Sequence, residues 1–595
     1  MKKTSSWASI LQLLPLLAPK RKVQFLVLFS GMLLLSFWEI VNIGSIMPFL
    51  SALTDPNKIL QNPIATPFIN YFNIKNSSEL LLPFGLIFGF VTILTNGLRL
   101  IVLWGGTRLS FAIGNDLSVE AFRASLAMPY KDHIATNSSE IITGIVKVNS
   151  AVSVINQACG LLNTLIVATA IILALFLINW LITLILIFSF CIIYLVIIRL
   201  TKIRLLNNSK KVSESAFLSH KILQEALGGI KDILIDRTQK IHCDAFRKYD
   251  LSARRAQGSI NITSNAPKYF LEVVGMLMIL FLAYALLAKT NDLGMLVPTL
   301  GAFALGAQRL LPVLQQAYSS WIGIQAEEYA LADFLGILKC SNQNDDDISG
   351  GESTFFTNTL TLKNISFSYE ASKKLAINEL NLCIQSGDRV GIIGASGSGK
   401  STLVDILLGL LSPTSGHIEI DGKVLGQQIP ISSWQRQIAH VPQSIFLADA
   451  SVAENIAFGC LDGQIDKEKV IFASKIAQIH NEINAWEFGY QSFVGERGVR
   501  ISGGQRQRIG IARAIYKDTS VIFLDEATSA LDTVTESEVM LAINGLEKYL
   551  GRKITLFIVA HRLSTLKNCT KIIQIENGRL VREGAYEEVI LQSKT

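Results

Sequence analysis

The stretch GASGSGKST, Gly394 to Thr402, follows an apolar run that ends at Ile393 and precedes a helically spaced apolar segment. Its glycines, lysine and serine match the phosphate-binding pattern G-x4-G-K-[ST], in the strand, loop and helix context that this pattern requires. In such a loop the backbone N–H groups hold phosphates, the lysine meets the β and γ phosphates, and the serine binds Mg²⁺. The predicted phosphate-binding residues are Gly394, Ala395, Ser396, Gly397, Ser398, Gly399, Lys400, Ser401 and Thr402, with Ser401 also a metal ligand.

A second apolar run, Val521 to Leu524, ends at two adjacent acids, Asp525 and Glu526. Continuous apolar strands are typical of a parallel sheet covered on both faces, and such sheets bind ligands at the carboxyl ends of their strands. Asp525 can hold Mg²⁺ through its water shell, and Glu526 is then free to polarise an attacking water. The alternative, a solvated strand end without function, is disfavoured by the phosphate loop upstream.

The first half of the chain has a different character. Of the 595 residues, 50% are hydrophobic and 17% are charged, and the mean hydropathy of +0.39 lies outside the range of ordinary soluble domains. Six apolar runs are long enough to cross a bilayer, at about 20 residues each. They lie near residues 24–50, 80–104, 152–178, 180–200, 269–288 and 295–322.

Positive charge predicts the orientation of these spans. Residues 199–257 carry thirteen Lys or Arg against six acids, whereas the loop at 51–79 is nearly neutral. Basic loops stay on the cytoplasmic side, so six spans predict cytoplasmic termini and long cytoplasmic helical extensions after the second and fourth spans. The placement of the +7 net charge favours anionic lipid over nucleic acid as a partner. Seven cysteines without C-x-x-C spacing predict neither disulfides nor a zinc site.

A polar, acidic and glycine-bearing segment at 336–355 predicts a linker between two domains. The predicted architecture is an α-helical six-span transmembrane domain over 1–335, opening with an interfacial helix, followed by an α/β P-loop ATPase domain over 356–595.

Further motifs around the phosphate loop resemble those of the ATP-binding cassette (ABC) transporter family, and the resemblance covers nearly the whole chain. The turn ISGGQ at 501–505 resembles the family signature, with Ile501 where leucine is usual. The resemblance implies ATP with Mg²⁺ as the ligand. It also implies an adenine-stacking role for Tyr369, a Q-loop and Mg²⁺-site role for Gln443, a D-loop from Ser529 to Asp532, and a switch role for His561.

In this family the signature turn closes on ATP held by the phosphate loop of a second cassette. The residues that would do so are Ser502, Gly503, Gly504 and Gln505. Because this chain has one cassette, the resemblance implies a second copy of the chain, or a homologous half-transporter, as its partner. Six spans ahead of one cassette resemble bacterial exporters, which implies an ATPase coupled to export or flipping in the bacterial inner membrane.

Ionisable residues in or near the spans are candidates for a substrate cavity. They are Glu39, Arg99, Lys268 and Arg309. An unpaired charge at the bilayer centre costs about 2.5–3.5 kcal/mol on insertion scales, so such residues face a hydrated cavity or pair with one another. The alternative is that Glu39 pairs with Arg99 while Lys268 and Arg309 reach the cytoplasmic interface.

Short stretches such as FWEIVNIGSIMPFL at 37–50 resemble the bacterial flippases that turn over polyisoprenyl-pyrophosphate-linked oligosaccharide for protein N-glycosylation. This resemblance implies a glycolipid substrate, although Gln315 and Gln316 stand where those flippases have a further basic residue. The alternatives are export of another lipid, a peptide or a drug-like amphiphile, or an ATP-gated channel or regulator.

Overall fold

The computed structural model describes residues 11–54, 80–287, 293–339, 356–369, 375–461, 463–528, 530–560 and 562–591. The chain divides into two compact units. The first comprises Met1–Met128 and His133–Gln343, and the second comprises Pro129–Asp132 and Asn344–Thr595. The main division between these units falls at Gln343 and Asn344, inside the predicted linker.

Ten helices are described before residue 340. They are α1 (Pro19–Thr54), α2 (Leu81–Ala127), α3 (Tyr130–Ala135), α4 (Ser138–Val146), α5 (Val148–Ile178), α6 (Trp180–Gly228), α7 (Ile230–Asp236), α8 (Gln239–Leu287), α9 (Leu293–Ala326) and α10 (Glu328–Lys339). The first four residues of the predicted linker thus belong to α10. Of the predicted interfacial helix, residues 11–13 are helical and residues 1–10 lie outside the described part of the chain.

All six predicted spans coincide with these long helices. Within the described residues, four helical stretches are long and apolar enough to cross a membrane: Pro19–Leu53, Leu81–Ala127, Ser139–Ile178 and Trp180–Gly228. The runs at 269–288 and 295–322 fall on α8 and α9, apart from residue 288, which is not described. Many large apolar side chains on these helices are exposed in the single chain, as expected of surfaces that contact lipid.

Helices α6 and α8 are far longer than a membrane requires. Each has 49 residues, or about 74 Å at 1.5 Å per residue, against a hydrocarbon core of about 30 Å. Both helices therefore extend well beyond the length that crosses a membrane. The helix α6 ends at Gly228, and the short helix α7 follows it. The glycine pair at 228–229 is accordingly a helix break.

A polar cluster joins three elements of the first unit. Lys147, between α4 and α5, donates from Nζ to Asp333 of α10 at 2.6 Å and to Ser213 of α6 at 3.1 Å. The Ser213 hydroxyl also donates to Asp333, at 3.1 Å. Because Lys147 is mostly buried, this pairing neutralises a charge that would otherwise be costly.

The second unit contains two sheets. Its strands are β1 (Thr359–Phe367), β2 (Ile377–Gln385), β3 (Arg389–Ile393), β4 (Ser415–Ile420), β5 (Lys423–Val424), β6 (Ile438–Val441), β7 (Val521–Asp525), β8 (Thr555–Val559), β9 (Lys571–Glu576) and β10 (Arg579–Gly584). An antiparallel sheet has the order β2-β1-β4-β5, and a six-stranded sheet has the order β10-β9-β3-β8-β7-β6. In the larger sheet β9, β3, β8, β7 and β6 are parallel, which confirms the expected α/β fold.

Seven α-helices are described after residue 399. They are α11 (Lys400–Leu407), α12 (Ile431–Arg436), α13 (Val452–Ile456), α14 (Lys467–Ile476), α15 (His480–Ala485), α16 (Gly503–Tyr516) and α17 (Thr533–Leu550). The strand β7 is buried from Val521 to Leu524, and all five residues of β8 are buried. Strands hidden on both faces read as continuous apolar runs, which is why their positions are visible in the sequence.

Two stacked phenylalanines join the central strands of the larger sheet. The rings of Phe523 and Phe557 are nearly parallel, with centroids 4.3 Å apart, and both side chains are buried. Truncating a buried phenylalanine to alanine costs about 3–5 kcal/mol. We expect Phe557→Ala to accelerate amide hydrogen exchange in β7 and β8 by at least about 100-fold in the full-length protein.

The matched control for this prediction is Phe488→Ala, which removes the same ring from an exposed position. This control should leave exchange in β7 and β8 unchanged. Equal exchange rates in the Phe557 variant and the wild type would show that the stack does not hold the sheet together.

Candidate nucleotide site and intramembrane charge cluster

The phosphate loop connects the end of β3 to the start of α11. Gly394, Gly397 and Gly399 have φ angles of +155°, +76° and +107°. A Cβ at Gly394 would lie 2.3 Å from the carbonyl oxygen of Ile575, and one at Gly399 would lie 2.6 Å from that of Ala376. The loop therefore requires glycine both for its backbone conformation and for its close packing.

Two side chains of the loop fit a phosphate. Lys400 is nearly buried, and its Nζ donates to the carbonyl oxygens of Gly394 at 2.8 Å and Ala395 at 3.0 Å. The Ser398 hydroxyl is buried, and within the described residues it has no hydrogen-bond partner. An ammonium and an unpaired hydroxyl beside the free N–H groups of a helix start form a suitable donor set for phosphate oxygens.

The carboxyl ends of β6 and β7 bring Gln443 and Glu526 into contact. Gln443 follows β6 and donates from Nε2 to Oε2 of Glu526 at 2.7 Å. The backbone N–H of Glu526 donates to the carbonyl of Val559 at the end of β8, 3.0 Å away. Glu526 has a φ of +49°, a conformation that costs free energy for residues other than glycine. The neighbouring strand thus holds the carboxylate in a strained but defined position.

A further acid lies at this site, and it was not predicted from the sequence. Asp405 is on α11, five residues after Lys400, within an otherwise apolar run. Burial and the negative charge of nearby Asp525 raise the pKa of Asp405 to about 6. A single acid among the apolar residues of VDILLGLL is the sequence feature that could have identified it.

The signature turn forms the N-terminus of α16. Ser502 accepts a hydrogen bond from the Gln505 N–H at 3.2 Å, and the Gln505 side chain accepts one from the Ser502 N–H at 2.9 Å. This reciprocal capping box fixes the start of the helix. The Gln505 amide also donates to Glu482 at 3.0 Å, and Glu482 pairs with Arg508 at 2.7 Å. Glu482 was not identified from the sequence.

The remaining nucleotide-site candidates have distinct positions. The Tyr369 hydroxyl lies 3.3 Å from that of Thr402, and its ring meets Phe367 edge-on. Asp532 caps α17 by accepting from the Thr535 N–H at 3.0 Å, and this hydrogen bonding lowers its pKa. His561 and Ser529 lie outside the described residues.

A buried carboxylate joins the segments after β7 and β8. Glu536 of α17 accepts from Thr528 at 2.9 Å, from Thr565 at 2.7 Å and from Arg562 at 2.9 Å. Because Thr528 follows β7 and Arg562 follows β8, these contacts fix the two segments relative to each other. The sequence alone gave no indication of this role for Glu536.

Three of the four intramembrane candidates form one cluster. Glu39 is fully buried, and its two carboxylate oxygens accept from Arg99 at 2.5 Å and from Arg309 at 3.1 Å. Lys268 instead pairs with Glu272, one turn along α8, at 4.0 Å. The expected Glu39–Arg99 pair is present. Arg309 also binds Glu39 and is largely buried, contrary to the alternative that places it at the membrane interface.

Taken together, the fold and the site define a helical membrane domain joined to a P-loop nucleotide-binding domain. Two family models match the chain, the ABC transporter transmembrane region at residues 43–308 and the ABC transporter at residues 377–529. The chain belongs to the ABC transporter family, with a transmembrane region fused to one ABC domain. ATP with Mg²⁺ is the ligand of this domain throughout the family.

Relatives match different parts of the chain. The ATP-dependent lipid A-core flippase of Hahella chejuensis is 43% identical over 231 residues, which cover 39% of this chain and 38% of that protein. The first curated relatives thus match over about two fifths of their length. The heterocyst differentiation ATP-binding protein HepA of Nostoc sp. is 28% identical over 96% of this chain and 92% of its own length.

A solved structure shares the overall fold. It is a bacterial Atm1-family ABC exporter with ATP bound, with a TM-score of 0.77 and 22% sequence identity. The alignment covers 95% of this chain and 96% of that one. At this identity the likeness supports the fold of both domains and the order in which they occur.

The contact between Gln443 and Glu526 leads to a prediction about catalysis. If Glu526 polarises the attacking water, Glu526→Gln keeps the binding groups but loses the base, and a general base contributes about 100- to 10,000-fold. We expect that variant to bind ATP with near-normal affinity while its steady-state hydrolysis falls by at least about 100-fold. Nucleotide binding and phosphate release, measured on the same preparation, check this expectation.

Glu538→Gln is the matched control, because Glu538 is an exposed acid on α17. It should retain wild-type hydrolysis. Near-normal turnover in the Glu526 variant would exclude Glu526 as the base.

Proposed function

We propose that this chain is an ATP-hydrolysing exporter or flippase that moves an amphiphilic molecule across the bacterial inner membrane. The observation that carries the proposal is the contact between Gln443 and Glu526 at the carboxyl edge of the sheet that also carries the phosphate loop. This arrangement places a water-orienting amide and a carboxylate next to a phosphate cradle, in a chain whose first half is a bundle of membrane-length helices.

The residues of this site have separable roles. Lys400 and the loop N–H groups would hold the phosphates, and Ser401, Gln443 and Asp525 would hold Mg²⁺. Bound Mg²⁺ would neutralise the charge that develops on the phosphates during hydrolysis. Glu526 would accept the proton of the attacking water, and His561 would act as the switch residue that the family resemblance implies.

Two copies of the chain would form the working unit. The signature turn is a helix start capped by its own Ser502 and Gln505, and in the family this turn meets ATP on another cassette. A two-fold symmetric dimer of identical chains is the simplest assembly that completes both sites. A homologous half-transporter in place of one copy would complete them equally well.

The intramembrane cluster supports an anionic substrate headgroup. Two arginines share one glutamate, so the group of Glu39, Arg99 and Arg309 keeps one excess positive charge. Arg99 retains 37% exposure of its side chain, which leaves it accessible to a ligand. A polyisoprenyl-pyrophosphate glycan, or another phosphate-bearing glycolipid, has the charge that this cluster can bind.

The proposed orientation of the chain in the membrane follows from the distribution of its basic residues. The basic extensions of α6 and α8 would lie in the cytoplasm together with both termini and the cassette. Transport would then run from the cytoplasmic side of the bacterial inner membrane outward. ATP-dependent accumulation of a fluorescent glycolipid in one leaflet of reconstituted liposomes tests this activity, whereas a channel would equilibrate the molecule between leaflets.

The paired half-sites can be tested by mixing variants. We expect Lys400→Ala chains and Ser502→Arg chains to be inactive alone and to recover about half of the wild-type hydrolysis per verified heterodimer, since one composite site is intact. Differently tagged chains purified over two affinity steps give the heterodimer, and phosphate release gives the rate.

The matched control mixes Lys400→Ala with Glu526→Gln chains. Both changes fall on the phosphate-loop side, so neither site of that heterodimer is complete. No recovery in the first mixture, or equal recovery in the control, would count against a site shared between chains.

The intramembrane cluster gives a prediction about the substrate. Arg309→Gln leaves Glu39 paired with Arg99 and removes the excess charge, so we expect a folded dimer that binds ATP but no longer transports polyisoprenyl-pyrophosphate glycan. Arg309→Lys should restore part of the transport, because it restores the charge. Transport in liposomes and size-exclusion chromatography together measure the effect.

Full transport of the pyrophosphate glycan by folded Arg309→Gln would exclude charge recognition at this cluster and favour a neutral amphiphile. Loss of the folded dimer in Arg309→Gln, with recovery in Arg309→Lys, would instead assign the cluster a structural role.

A further inference from the structure

Helices α6 and α8 line an open, polar cleft that begins where the apolar run at 180–200 ends. Its volume is about 830 Å³. The residues on α6 and those on α8 each recur at intervals of three or four, so one face of each helix forms a wall. The side chains that line it include Leu200, Ile203, Arg204, Lys211, Lys248 and Arg255.

The charge in this cleft is all of one sign. Arg204, Lys211, Lys248 and Arg255 line it, and no acidic residue does so within the described part of the chain. None of these four cations has an acidic partner within 4.0 Å among the described residues. Four like charges in one cleft repel one another, and a multivalent anion relieves that repulsion.

Neighbouring cations on the same two helices behave differently. Lys210 pairs with Glu214 on α6, and Arg254 pairs with Asp250 on α8. The acids of these helices thus pair with cations that do not line the cleft. The four cleft cations therefore differ from the neighbouring cations on these helices, which have acidic partners.

The lining of the cleft includes apolar as well as basic side chains along α6. Leu200 and Ile203, both strongly exposed, lie near the middle of α6, where the apolar run at 180–200 ends. Lys211 lies about 16 Å further along the helix from Leu200, at a rise of 1.5 Å per residue. A hydrogen bond from Asn208 to Ser259, at 3.0 Å, ties the two walls together. Along α6, Leu200 and Ile203 thus lie beside the apolar run, Arg204 follows directly, and Lys211 lies furthest from the run.

We propose that this cleft binds the phosphate-bearing headgroup of an anionic amphiphile from the cytoplasmic leaflet. The apolar end would accommodate the start of the lipid chains, and the four cations would form charge-assisted hydrogen bonds to the phosphate oxygens. The inference rests on the cytoplasmic orientation proposed above. It does not depend on ATP hydrolysis, and its residues are separate from the cluster around Glu39.

Native mass spectrometry of the detergent-purified, nucleotide-free protein tests the site, with dioleoyl phosphatidic acid and dioleoyl phosphatidylcholine as probes. The wild type should bind phosphatidic acid at least about tenfold more tightly than phosphatidylcholine. Each cation near a membrane surface contributes about 1 kcal/mol toward anionic lipid, so Lys211→Gln with Arg255→Gln should weaken phosphatidic acid binding about 30-fold. Because no nucleotide is present, a failure here is distinguishable from a failure of the proposed ATPase.

The matched control is Lys210→Gln with Arg254→Gln, which removes the same charge from the same two helices outside the cleft. It should change the affinity less than about threefold, as expected of exposed and already paired charges. Arg204→Gln with Lys248→Gln is a second, independent cleft variant. If the first variant fails to yield folded protein, this one should show the same loss of affinity for phosphatidic acid.

The source of the phosphate is distinguished by competition with inorganic pyrophosphate. Retention of phosphatidic acid in the presence of excess pyrophosphate assigns the cleft to a lipid headgroup, and displacement assigns it to a soluble phosphate compound. Equal loss in the cleft and control variants, or equal binding of phosphatidic acid and phosphatidylcholine by the wild type, overturns the proposal.

Discussion

The parallel pairing of β3, β8, β7 and β6 decides where the nucleotide site lies, because parallel strands all end at the same edge of a sheet. The phosphate loop follows β3, Glu526 follows β7 and Gln443 follows β6, so three separate segments of chain deliver their polar groups to one place. The strand β8 supplies the carbonyl of Val559 that holds the Glu526 backbone. The apolar faces of these strands fix the edge in position, and the edge in turn fixes the polar groups relative to one another.

A different physical constraint applies to the membrane half of the chain, because a charge in a low-dielectric region must be paired or hydrated. The negative charge of Glu39 is paired, because each of its carboxylate oxygens accepts a hydrogen bond from an arginine. The four cations of the cleft on α6 and α8 lie outside the apolar runs, where water reduces the cost of leaving cations without acids. Unpaired charge there is tolerated at low cost, and it is available for binding.

The fold class and much of the nucleotide site could be predicted from sequence because each depends on local pattern. Buried strands read as apolar runs, and the phosphate loop needs glycine where its φ is positive, as at Gly399. Contacts between segments that are far apart in the sequence produce no local sequence pattern of this kind. Glu536 binds Thr528, Arg562 and Thr565, and Glu482 binds Gln505, but nothing near these acids in the sequence marks them. For the same reason Arg309 was not identified as a partner of Glu39, 270 residues away.

The caps of two helices bear on why one chain should contain two phosphate-binding turns. The first N–H groups of a helix have no acceptor within the helix itself. At α16 the capping box satisfies the N–H groups of Ser502 and Gln505. The two glycines between them, Gly503 and Gly504, carry no side chain that would keep a phosphate at a distance. At α11 the N-cap is Gly399, in the left-handed region, and it supplies no side-chain cap to the start of the helix. In the dimer proposed above, one nucleotide would lie between two such helix starts that belong to different chains. Oppositely oriented cassettes would complete both sites of that proposed dimer in the same way.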